Sequence, residues 1–179
     1  MKTSKMRTVG IVLAGMMSVS SSVLAETQGT QSFTANIPTN TCVLNNIDNV
    51  FSFTLNGSTN PGKYNVWALG TGEIKVTGCD PSLTELKVTA TYTPYYSAIA
   101  NKGSLGNDVY SQLTSSVDGP APVLGGRVAQ TWASGSERKV NITNGEATME
   151  YYVPVMASVD SRNLRGTVKS TVSFLVDMQ

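Results

Sequence analysis

Apolar residues recur on every second position through several stretches of this chain, the spacing of strands with one buried face. Phe51, Phe53 and Leu55 alternate with Ser52 and Thr54 before the turn signal Asn56-Gly57. Ile74 and Val76 lead into Gly78-Cys79-Asp80-Pro81, which predicts the end of a strand. Leu86, Val88, Ala90 and Tyr92 form a longer row against Lys87, Thr89 and Thr91. Val140 and Ile142 make a short strand closed by Asn144-Gly145, and Met149, Tyr151, Val153 and Val155 follow. Pro154 predicts that this last strand is interrupted or lies near an edge. The longest row occupies residues 166–179, where Val168, Val172, Phe174, Val176 and Met178 share one face that Ser170 interrupts.

No window after Ala25 carries helical periodicity. Residues 97–126 are rich in Gly, Ser, Asn, Asp and Pro, which predicts long loops with at most short strands around 109–113. Six or more short strands separated by turns predict one all-β domain, a β-sandwich of immunoglobulin-like type. An apolar strand at 166–179 predicts an edge meant to pair with another molecule.

Composition changes the picture mainly at the N-terminus. Lys2, Lys5 and Arg7 precede a short, mostly apolar run, and Val23-Leu24-Ala25 suits a signal peptidase, so residues 1–25 read as an export signal cleaved after Ala25. From residue 26 onward ten basic side chains face twelve acidic ones, a charge of −2. That balance supplies no basic footprint for nucleic acid. Export to an oxidising compartment makes Cys42 and Cys79 candidates for a disulfide, closing a loop of 38 residues counting both ends. In the chain-entropy picture such a bridge contributes about 4 kcal/mol. The chain has no histidine, which excludes Ser-His triads and His metal sites. Leu124-Gly125-Gly126-Arg127 lacks the Lys of a phosphate loop. No enzyme, cofactor or metal is expected.

Several residues together resemble the subunits of the bacterial chaperone–usher pathway, the type 1 fimbrial family. Gly29, Phe33 and Ile37 stand at that family's offsets before the first cysteine, Cys42. The second cysteine sits in a similar Gly78-Cys79-Asp80 segment, and a glycine, Gly166, stands fourteenth from the last residue, ahead of an alternating apolar strand. Met178 departs from the family's penultimate Tyr but keeps the apolar row.

The resemblance implies an incomplete immunoglobulin-like sandwich that lacks its final strand. It implies a donor extension over 26–41 leading into the first strand, and a pilin domain over 42–179. A periplasmic chaperone, then the extension of a neighbouring subunit, would complete the fold beside the last strand, with an outer-membrane usher driving assembly into an extracellular adhesive fimbrium. Gly166, Val168, Val172, Phe174, Val176 and Met178 are the expected groove. Thr27, Gly29, Gln31 and Phe33 are the expected donor row, more polar than related pilins show. A head-to-tail contact of this kind generates a filament, whose receptor would lie on a host cell. The alternative is a sugar- or receptor-binding minor subunit at the tip, with Trp67, Trp132, Tyr92, Tyr95 and Tyr96 as ring-stacking candidates against the simpler reading of core aromatics.

Overall fold

A computed structural model describes residues 29–36, 42–45, 62–159, 164 and 166–179. The export signal, Thr27 and the row at Phe51, Phe53 and Leu55 lie outside these residues. The described chain is all-β, two sheets packed as an immunoglobulin-like sandwich, with one 3-10 turn at Gly106–Asp108.

The strands are β1 (Gly29–Asn36), β2 (Val43–Asn45), β3 (Val66–Thr77), β4 (Glu85–Tyr92), β5 (Pro94–Tyr95), β6 (Ala98–Ile99), β7 (Val109–Ser111), β8 (Thr114–Ser115), β9 (Glu137–Asn141), β10 (Ala147–Ala157) and β11 (Val168–Met178). One sheet runs β1-β11-β4-β9 and the other β2-β3-β10-β7-β6-β5, with β8 also on β10. The main core forms where the two inner faces meet. Leu86, Val88 and Ala90 of β4 and Val172, Phe174 and Val176 of β11 pack over Ile74 and Val76 of β3 and Met149, Tyr151 and Val153 of β10. A smaller cluster gathers Val109, Val155, Ala157 and Val168 with Trp67 and Leu105. Cys42 and Cys79 are bridged, joining the start of β2 to the turn after β3.

Pro154 is neither at an edge nor at a break in its own strand, contrary to the sequence expectation. β10 continues through Pro154 between β3 on one side, where the register shifts between Val155 and Met156, and β8 and β7 on the other. The interruption falls on the neighbour instead: β8 ends its pairing at Tyr152, β7 begins at Val155, and Gln112 N–H donates to the Pro154 carbonyl at 3.0 Å in the gap. A proline lacking a ladder donor is thus tolerated where its neighbour changes.

The two borders of the four-stranded sheet differ in charge. β9 carries Glu137, Arg138 and Lys139 in succession, with Lys139 Nζ 3.2 Å from Glu85 and 3.7 Å from Glu137. Charged edges of this kind deter stray pairing. β1, with sequence GTQSFTAN, carries no charge at all.

Candidate functional site

β11 is the element on which the sequence places the groove, and its N-terminal end is anchored from one side by the segment at 101–105. The buried Asn101 is the hub: its Oδ1 accepts from the Lys169 and Gly103 N–H groups, both at 2.8 Å, while its Nδ2 donates to the Gly106 and Val109 carbonyls. Lys102 N–H donates to the Lys169 carbonyl at 2.9 Å. The approach is so close that a Cβ on Gly103 would lie 2.0 Å from the Thr167 carbonyl oxygen. Gly166 stands two residues before the strand. Its φ of +154° and a Cβ position 2.6 Å from Ser104 Oγ leave room for glycine alone.

From there the inward row is continuous. Val168, Ser170, Val172, Phe174, Val176 and Met178 are all buried, while Lys169, Thr171, Ser173 and Leu175 face out. Phe174 sits at the centre, with its ring 5.0 Å from Tyr151 and 5.6 Å from Trp132 between centroids. Four or five such side chains contribute ~1.5–3 kcal/mol each by burial. Ser170, read from sequence as a gap in the row, is 3% exposed and its Oγ has no hydrogen-bond partner among the described residues.

β11 pairs antiparallel with β4 on one side and parallel with β1 on the other. In that second register Gly29 stands opposite Val168, Gln31 opposite Ser170 and Phe33 opposite Val172. The stretch that the resemblance makes a donor to a neighbour therefore lies against the last strand of its own chain. Gly29, Gln31 and Phe33 are brought to the expected groove residues, but from within.

The ring-stacking candidates separate into two groups. Trp132 is fully buried, and Tyr92, 7% exposed, donates its hydroxyl to the Trp132 carbonyl at 2.8 Å, so both are core residues. The half-buried Trp67 packs against the smaller cluster and donates its indole N–H to the Gly62 carbonyl. Tyr95 and Tyr96, in contrast, stand at a surface pocket with Tyr64 and Tyr110, two residues the sequence reading missed. Nothing in the strand pattern marks them, because the segments that bring them together, the turn at Tyr64 and β7, are far apart in the chain. Burial, then the neighbouring phenols of Tyr64 and Tyr95, pushes the Tyr110 hydroxyl above its ordinary pKa.

Among the described residues no three His, Cys, Asp or Glu side chains group as metal ligands, and no helix is long and apolar enough to cross a membrane. No family model and no curated protein matches the sequence. Among solved structures, the chain is similar to an antigen and type I fimbria protein of Burkholderia pseudomallei, at 16% identity and a TM-score of 0.49, over 86% of this chain and 98% of that one. It is also similar to the CupB6 tip adhesin from Pseudomonas aeruginosa, at 16% identity and a TM-score of 0.37, over 76% of this chain and 36% of the adhesin.

Proposed function

We propose that this chain is a structural subunit of an adhesive fimbria, exported through the periplasm and joined to its neighbours by donor-strand exchange at β11. A periplasmic chaperone and an outer-membrane usher would handle it on the way. The observation that carries the reading is the state of β11: six inward positions buried in the core, with its outer side closed by an N-terminal strand in parallel. Parallel pairing is slightly weaker per residue than antiparallel. An incoming strand of the opposite sense therefore has a route to displace β1. No catalytic step is assigned.

Thr30 and Lys169 are register partners, so Thr30→Cys with Lys169→Cys can lock β1 onto β11. The locked chain should fail to enter fibres, and a reductant should restore entry. Fibres that incorporate the locked chain as readily as the parent would show that this edge is not the joint.

A second reading, a tip-associated subunit, draws on the position of β1. With cleavage after Ala25, residues 26–28 alone precede β1. A subunit that keeps β1 in its own sheet does not donate it to a neighbour. Gold labelling separates the two: decoration along the fibre fits an interior subunit, decoration at one end fits the tip.

A further inference from the structure

The geometry points to a binding site for one ring of a neutral sugar in the pocket formed by Tyr64, Tyr95, Tyr96 and Tyr110, at the β5–β7 end of the larger sheet. The pocket is about 250 Å³, just under the ~300–1,000 Å³ of sites for drug-sized ligands, and suits a single ring. Four phenol rings offer flat apolar faces for the C–H face of a pyranose. Gln112 and Ser158, on the same wall, offer an amide and a hydroxyl to its rim of hydroxyls. Among the described residues no carboxylate, ammonium or guanidinium lines it, a lining that matches a neutral ligand.

The backbone gives a second, independent argument. Three non-glycine residues have positive φ among the described residues, and two of them, Tyr64 at +63° and Tyr96 at +52°, are in this pocket. The third, Asn144, belongs to an ordinary Asn-Gly turn. Left-handed backbone is costly for a bulky side chain. Tyr96 is the first residue of a two-residue hairpin turn between β5 and β6, a position where Asn or Gly would be at ease. It is nevertheless a tyrosine, 90% exposed, with its ring edge-on to Tyr95 at 4.9 Å. Strain kept for an exposed ring stabilises nothing in the fold and marks a site of use. The inference does not rest on strand exchange, because no residue of β1 or β11 is in the lining.

The test uses the exported chain with its disulfide intact and follows ligand by NMR titration. The probes are methyl glycosides of galactose, glucose, mannose and N-acetylglucosamine, with tetramethylammonium and N-acetylneuraminic acid as charged comparators. At least one neutral glycoside should bind with a Kd of about 1 mM or tighter. Tyr96→Asn should weaken it about tenfold while leaving the thermal midpoint unchanged or higher, and Tyr96→Phe should retain binding. The proposal is overturned if no neutral glycoside binds, if binding survives Tyr96→Asn, or if a charged comparator binds as well as the sugars.

Discussion

Single side chains carry two kinds of information here, what the fold needs and what it carries for other reasons. Tyr152 is of the first kind. Its hydroxyl donates to Glu150 Oε2 at 2.5 Å, and this bond, with burial and the carboxylate's charge, pushes its pKa up to about 12 from an ordinary 10.0. A folded pKa raised above the unfolded one gives stability that is full below pH 10 and is lost as pH climbs through about 12. Tyr152→Phe should therefore start about 1 kcal/mol less stable near neutrality, yet lose less than the parent across that window. Urea midpoints measured on both sides of it check the sign; parallel alkaline limbs would refute the linkage. Tyr64 and Tyr96 are of the second kind, since neither conformation helps the core. Their conformations could not be read from sequence, because φ at a turn depends on which strands the turn joins.

At the scale of elements, legibility followed burial. β4 and β11 each bury one face and expose the other, so their alternation was plain, down to Leu86, Val88 and Ala90 or Val172, Phe174 and Val176. β10 from Tyr151 to Ala157 is buried throughout, so the row Met149, Tyr151, Val153 and Val155 showed only one of its two buried faces, and Pro154 was read as an interruption or an edge. β5, β6 and β8 hold two residues each, too few for any pattern. The inward row of β11 was legible because alternation is local; the company it keeps was not. Whether residues near Gly29 pair with their own β11 or a neighbour's is decided by the partner strand. The buried row also predicts a contrast within one strand. Phe174→Ala should cost about 3–5 kcal/mol by opening a cavity beneath Trp132 and Tyr151. Ser170→Ala, which removes a buried hydroxyl without a partner among the described residues, should be neutral or stabilising. Denaturant midpoints of the two variants test this directly, and equal losses would place Ser170 in a polar contact.

For the whole molecule, the disulfide ties the start of β2 to the turn after β3, where the Cys79 N–H also donates to the Gly145 carbonyl at 3.0 Å. A crosslink in that place secures the larger sheet and leaves the β1–β11 border of the other sheet without a covalent restraint among the described residues. The larger sheet thus carries a covalent tie, while the smaller one relies on core packing and hydrogen bonds among the described residues.

The unlike borders of the smaller sheet should also respond differently to ionic strength. Docking at β1 and β11 meets no charge on β1 and only Lys169 and Asp177 on β11, so its affinity is expected to change little between dilute buffer and about 1 M salt, where the Debye length shrinks to ~3 Å. At the other border the same salt screens the charges and ion pairs of Glu137, Arg138 and Lys139, which lowers their power to keep rims of different molecules apart. Light scattering of the chain alone should then reveal sideways clumping that brine promotes and Lys139→Ala promotes further, while fibre growth proceeds at an unaltered pace.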